Sequence, residues 1–278
     1  RCQVFPGDHL DLLFLCFHLI LAFFPAFVYN GFCYGEERDM KMSKNIDTVL
    51  FDLDGTLLPM DNDAFTKGYF KLLAAAMMPY GYEPKKLVDA IWAGTAAMVK
   101  NDGTQSNEEA FWARVYAIYG DKIIQDKALF ERFYAEDFQQ ARALCGYTPA
   151  AAQCVHAAKE LGMQVVLATN PIFPAIATES RIRWAGLSPD DFCLYTTYEN
   201  TGYCKPNPEY YLDLIRRLDL EPQRCLMVGN DVSEDMEAAA QAGMQVYLLT
   251  DCLINRHDRD ISACPQGGFD ELRELLQA

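Results

Sequence analysis

Short apolar runs at 48–52, 164–168, 224–229 and 245–249, with a weaker one at 192–196, alternate with helical patterns from Asp47 onward. That rhythm is the mark of a parallel α/β sheet with helices packed on its faces. The helix ends are legible. Thr148 and Pro149 supply a cap and a first-turn proline, with Gly162 as the stop, and Pro174 opens the next helix, which Gly186 ends. Residues 233–242, stopped by Gly243, make a third.

One connection breaks the rhythm. Between the first run and Gln164 lie about a hundred residues without a convincing strand, far too many for a structureless loop in a compact protein. Helical patterns at 63–78, 84–99, 107–119 and 127–143, rich in Ala, Phe, Tyr and Met, fill this stretch. We expect a helical insertion over the C-terminal edge of the sheet, the edge at which open α/β sheets bind ligands. Its aromatic residues Trp92, Phe111, Trp112 and Tyr116 recur at helical spacing and belong mostly to its core.

At 278 residues and 51% apolar, the chain has material for one large domain or two smaller ones. Its net charge of −15 argues against nucleic acid as a partner. Small phosphorylated substrates stay open, because a bound metal reverses the field within one pocket. The ten cysteines contain no C-x-x-C pair, and Cys154 and Cys225 fall in apolar-periodic segments where a thiol acts as a small hydrophobe. That usage points to structural thiols in a reducing compartment. There is no internal repeat, low-complexity segment or basic run.

Residues 12–29 are apolar apart from His18 and Pro25, close to the roughly 20 residues that span a bilayer. Three readings compete: a membrane anchor, a signal peptide, or sequence that is not normally translated. No basic cluster precedes the stretch and no small-x-small cleavage site follows it, which weakens the signal peptide. The charges after it, Glu36, Glu37, Arg38, Asp39 and Lys41, are mixed in sign and set little orientation. The chain begins with Arg1, and Gly35 to Arg38, writable in purine-only codons, precede Met40 and Met42. The favoured expectation is a cytoplasmic protein starting at Met42, with residues 1–41 outside it; anchoring through 12–29 is the alternative.

The chemistry-bearing residues sit at the ends of the runs. Asp52 and Asp54 close the first, alternation puts them on one side of the strand, and Gly55 permits a sharp turn away. Carboxylate and carbonyl oxygens there suit Mg²⁺, which keeps several waters and often binds a substrate phosphate; a solvated strand end is the plain alternative. The second run leads into Thr169-Asn170-Pro171, whose hydroxyl and amide suit a phosphate oxygen, although such turns are ordinarily structural. Lys205, fixed between Cys204 and Pro206 ahead of a helix, suits phosphate and nearby carboxylates, against the usual fate of a lysine in solvent. After the run ending at Gly229, Asp231 can join Asp52 at a cation, and Asp235 is favoured near the next helix start by the helix dipole. Helix capping is the alternative for both.

Taken in order, Asp-Leu-Asp-Gly-Thr, Thr-Asn, Lys-Pro and Gly-Asn-Asp-x-x-x-Asp resemble the haloacid dehalogenase-like superfamily over essentially residues 45–278. The resemblance implies a Rossmann-like three-layer core from 42–62 and 148–278, with an all-helical cap at 63–147. It implies Mg²⁺-dependent phosphoryl transfer with Asp52 as nucleophile and Asp54 as acid and then base. Thr169, Asn170 and Lys205 would bind the phosphoryl group. Asp52, Asp54 through its carbonyl, Asp231 and Asp235 would form the metal site, Asp235 through a water or by orienting Lys205. Many members carry Gly-Asp where Asn230 intervenes here; either Asp231 takes the metal position or Asn230 does, and a carboxylate suits the dication better. Dehalogenases lack an acid at the position of Asp54, so a phosphatase acting on a small phosphorylated metabolite is expected. A sugar phosphomutase or a silent, membrane-tethered binding protein on the same fold are the alternatives.

Overall fold

In a computed structural model of the chain, which describes residues 45–278, the first apolar run forms β1, Thr48–Phe51, at the middle of a parallel sheet. The apolar stretch at 12–29 and the expected start at Met42 lie outside the described residues. The other strands are β2 (Gln164–Leu167), β3 (Leu194–Tyr195), β4 (Cys225–Gly229), β5 (Gln245–Leu249) and β6 (Gln266–Gly267), in the spatial order β3-β2-β1-β4-β5-β6. Leu50 stands opposite Val166 on one side and Met227 on the other. All four residues of β1 and all five of β4 are buried, which is why these runs read as continuous rather than alternating apolar sequence. Chain order reverses between β1 and β4, and the crevice at such a switch point opens beyond the strands' C-terminal ends.

The long connection after β1 is helical: α1 (Asn62–Met77), α2 (Pro84–Val99), α3 (Asn107–Tyr119), α4 (Asp121–Gln125) and α5 (Lys127–Ala135). The first three starts have a chemical reason. Asp61 accepts the Ala64 N–H at 2.8 Å, Glu83 caps α2 ahead of a first-turn proline, and Ser106 with Glu109 forms a capping box on α3. The pattern at 127–143 is not one helix: it breaks at Glu136 (φ −113°, ψ −74°) and continues as a 3₁₀ segment, Asp137–Leu144. That break lets Phe138 pack against Phe65, Tyr69, Phe133 and Trp184. The chain leaves and re-enters the sheet side by side, through an antiparallel bridge between Met60 and Cys145 and a 2.6 Å bond from Gly146 N–H to the Pro59 carbonyl.

On the sheet's faces lie α6 (Pro149–Glu160), α7 (Ala175–Trp184), α8 (Pro208–Leu218) and α10 (Phe269–Gln277), with the short α9 (Ala238–Gln241) between β4 and β5. The expected helix at 233–242 begins as a π-type turn, Val232–Glu237, before α9 continues it. Both Asp235 and Met236 donate backbone N–H to the Asp231 carbonyl, and this widened turn brings the Asp235 side chain back to the strand end. The seven described cysteines are free thiols. Among the described residues, no helix is long and apolar enough to cross a membrane.

Candidate active site

Asp52 follows the last residue of β1 and is held there by its own N–H, which donates to the Val228 carbonyl at 2.9 Å. Its carboxylate is met from two sides. Lys205 Nζ donates to Oδ1 at 2.9 Å and Thr56 Oγ1 to Oδ2 at 2.9 Å. Thr56 reaches back because the chain turns tightly at Gly55, whose φ of +86° disfavours any side chain and where a Cβ would come within 2.4 Å of Asn230 Nδ2.

Lys205 is buried, and its ammonium also donates to Asp235 Oδ1 at 2.7 Å. Burial works to lower the lysine's pKa, but Asp235 and Asp52 outweigh it and carry it well above the ordinary value, so the ammonium stays charged. Tyr210 and Tyr211 wall it in, with ring centroids 5.8 and 6.0 Å from Nζ. Asp235 accepts at both oxygens, since Oδ2 takes the backbone N–H groups of Asn230 (3.1 Å) and Asp231 (3.0 Å). No other residue than glycine fits beside it: a Cβ at position 229 would lie 2.2 Å from Asp235 Oδ2.

Asp231 caps the π-type turn, Oδ1 accepting from Ser233 N–H (2.9 Å) and Glu234 N–H (3.0 Å), while Oδ2 takes the Arg256 guanidinium at 2.5 Å. Arg256 arrives on the loop after β5, which is stitched to this segment by Ile254 N–H to the Asn230 carbonyl and Val232 N–H to the Ile254 carbonyl. Asn230 Oδ1 lies 2.9 Å from Thr56 Oγ1 and shares that hydroxyl's single proton with Asp52, while Nδ2 donates to the Cys252 carbonyl at 2.7 Å. Asn230 thereby spends its amide on the scaffold.

Asp54 lies apart from Lys205's short contacts. Its Oδ2 receives Arg181 Nη1, and its Oδ1 is buried with no protein partner. Burial raises the Asp54 pKa, and Arg181 opposes that rise. Thr169 is buried beyond β2, its carbonyl accepting from Thr196 Oγ1 (2.6 Å) and Tyr210 OH (2.9 Å), which fixes the turn. Asn170 Nδ2 donates to Glu234 Oε2 at 3.0 Å and weakly to the Lys205 carbonyl at 3.4 Å, leaving Oδ1 buried without a partner. Burial pushes the Glu234 carboxyl up to about 8, with the Asp231 charge adding to it.

The fold thus gathers the side chains of Asp52, Lys205 and Asp235 in direct contact, with Asp231 joined to Asp235 by its backbone N–H and Asn170 to the Lys205 carbonyl by its amide. Asp54 faces a separate cation. Sequence reasoning missed Arg181, Arg256 and Glu234, and gave Thr56 no role although it closes the Asp-Gly-Thr turn. Among the described residues, no group of three or more His, Cys, Asp or Glu side chains stands ready-made for a metal.

Residues 46–243 match the family model described as a hydrolase, haloacid dehalogenase-like hydrolase. A glyceraldehyde 3-phosphate phosphatase from Methanothermobacter thermautotrophicus is 38% identical over 87 residues, 29% of this chain and 38% of that protein. A ribulose-1,5-bisphosphate 5-phosphatase from Halopiger xanaduensis is 25% identical over 211 residues, 72% of this chain and 83% of that protein. The chain spans only 41% and 38% of the length of the first curated relatives it matches. Among solved structures, a 2-haloacid dehalogenase from Pseudomonas syringae pv. Tomato superposes with a TM-score of 0.57 at 21% identity, covering 84% of this chain and 98% of that one, a likeness of fold.

Proposed function

The chain belongs to the haloacid dehalogenase-like hydrolase family, and we propose that it is a phosphatase that hydrolyses a small phosphomonoester metabolite through a phosphoryl group carried on Asp52. The observation that carries this reading is the buried Lys205 gripping both Asp52 and Asp235, with a second acid at Asp54 two residues from the first. A dehalogenase of this family would lack that second acid.

In the first step a carboxylate oxygen of Asp52 attacks phosphorus as the bond to the ester oxygen breaks, and Asp54 gives that oxygen its proton. In the second, Asp54 takes a proton from water as the water oxygen attacks phosphorus, releasing inorganic phosphate and the Asp52 carboxylate. Lys205 holds negative charge on the transferring group and the Thr169 hydroxyl supplies a neutral donor, whereas Asn170, whose side-chain N–H groups serve Glu234 and the Lys205 carbonyl, has only its backbone N–H to offer; Asp235 keeps the ammonium in place. The donor set fits a hard divalent cation: Asp231 Oδ2 already faces a positive group, the Arg256 guanidinium. Asp52, Asp231 and the Asp54 carbonyl would hold Mg²⁺, which when bound supplies charge that offsets the phosphoryl oxygens.

We assign the helical stretch at 63–147 as a cap that chooses the substrate and excludes water. Asn107 supports this. Its side-chain amide donates to the Pro171 carbonyl at 3.2 Å, and its backbone N–H to the Thr201 carbonyl at 2.8 Å, so the first turn of α3 rests on loops that follow the catalytic strands. Free thiols fit a cytoplasmic location. The phosphatases above favour a small phosphorylated sugar or aldehyde as the class of substrate.

The test is phosphate release from a panel of metabolite phosphomonoesters with Mg²⁺, with Asp52→Asn run alongside. Turnover by the unaltered protein and none by the variant is expected; equal turnover by both would remove Asp52 as nucleophile.

A further inference from the structure

We propose that Arg181 is the positioning residue for the acid–base carboxyl of the reaction set out above: it holds Asp54 by Oδ2 and so presents Oδ1 to the substrate's bridging oxygen. The inference rests on that two-carboxylate reading.

Arg181 lies in the middle of α7 and its side chain has no exposed surface. Long cations are almost never fully buried unless paired. A buried ion pair is a poor source of stability, since matched apolar groups commonly do as well, so stability alone does not account for this one. The guanidinium is fixed on every side. Nε donates to the Ala177 carbonyl and Nη2 to Thr178 Oγ1, each at 3.3 Å, Nη1 donates to Asp54 Oδ2, and the Phe173 ring lies 4.4 Å from its central carbon. Ala177 and Thr178 are one turn back on the same helix. Phe173 belongs to the loop that joins Thr169 and Asn170 to α7. The arginine is therefore preorganised by the segment that carries the proposed phosphate ligands.

Guanidinium only donates, so Oδ2 of Asp54 is kept as an acceptor. The proton must then reside on Oδ1, the buried oxygen with no protein partner. A buried oxygen in that state is costly until something fills it. A general acid needs the atom it protonates within hydrogen-bond reach, and the leaving oxygen is such an atom. As the phosphorus–oxygen bond breaks, the proton passes from Oδ1 to that oxygen; in the second half-reaction a water proton returns to Oδ1.

The test compares two leaving groups on the full chain with Mg²⁺: the alkyl phosphomonoester turned over fastest in the panel, whose alkoxide needs a proton, and para-nitrophenyl phosphate, whose phenolate does not. Arg181→Met is expected to lower kcat on the alkyl ester ~100-fold and on the nitrophenyl ester by less than ~10-fold, the pattern expected of Asp54→Asn. Combined with Asp54→Asn, it should cost less than about threefold more on either ester, because the two residues act as one. Arg181→Lys should recover part of the alkyl activity. Equal losses on both esters, or losses that multiply in the double variant, would overturn the proposal. If Arg181→Met loses its thermal transition, the same cycle with Arg181→Lys decides by the same criteria. Failure of the two-carboxylate reading looks different, as Asp52→Asn would then match the unaltered protein on both esters.

Discussion

Lys205 and Asp235 meet at 2.7 Å with both side chains buried, and the same ammonium touches Asp52 at 2.9 Å. One cation thus serves two carboxylates, one just past β1 and one in the turn after β4. Removing it leaves both unpaired in a closed site, and breaking a buried pair from one side costs about 3–5 kcal/mol. We predict that Lys205→Met loses stability on that scale in urea unfolding, along with the phosphate release proposed above. A loss under about 1 kcal/mol would mean water reaches the pair.

Gly229 sets how closely the strand end approaches Asp235. A Cβ there would lie 2.2 Å from Asp235 Oδ2 and 2.4 Å from its Cβ, and neither neighbour is the free end of a long chain. Gly229→Ala should therefore push Asp235 off Lys205, costing roughly 1–3 kcal/mol in stability and lowering kcat more than it raises KM. A thermal melt and steady-state kinetics check both, and an unchanged kcat would show that Asp235 is dispensable.

Arg256 competes for Asp231 Oδ2. A third of its side chain is exposed, so the pair contributes about 1 kcal/mol, roughly fivefold in a competing equilibrium. A chelator should abolish phosphate release and Mg²⁺ restore it. Arg256→Gln should reach half-maximal thermal stabilisation at about fivefold lower Mg²⁺, measured without substrate. Weaker metal binding in the variant would place Arg256 among the groups that build the site.

Glu234 has its carboxyl raised from 4.5 to about 8 by burial and by Asp231. With the folded pKa above the unfolded one, its contribution to stability is full below 4.5 and is lost as pH rises through about 8. Gln keeps an acceptor for Asn170 Nδ2 without a charge to bury. In metal-free protein, Glu234→Gln should therefore raise Tm over the unaltered chain by more at pH 9 than at pH 5. An equal difference at both pH values would contradict the assignment.

Asp52 and Asp231 were legible because each stands just past an apolar run, where the periodicity itself announces a strand terminus, and Lys205 and Asp235 because each stands at the approach to a helix. Arg181 gave no such signal. It lies in a helix that also carries Glu179 and Arg183, and only the packing of α7 separates the buried cation from Arg183, which pairs with Glu179 at the surface. Arg256 was hidden for another reason, as its loop has no periodicity and reaches Asp231 through a bridge at Ile254. The break at Glu136 and the π-type turn at Val232–Glu237 were equally unreadable, since the contacts that accompany them, Phe138 with Phe65 and Asp235 with Lys205, join residues distant in sequence. From patterning alone came the parallel sense and five of the six strands, because the two-residue β6 is too short to show a period.

The paired exit and return at Met60 and Cys145 makes the whole helical stretch, in topological terms, a decoration on one tight turn. Its two ends are hydrogen-bonded neighbours, so its length and content put no constraint on the register of β1 with β2. Evolution can therefore exchange the helical stretch while leaving the sheet untouched, and a protein engineer can splice there for the same reason.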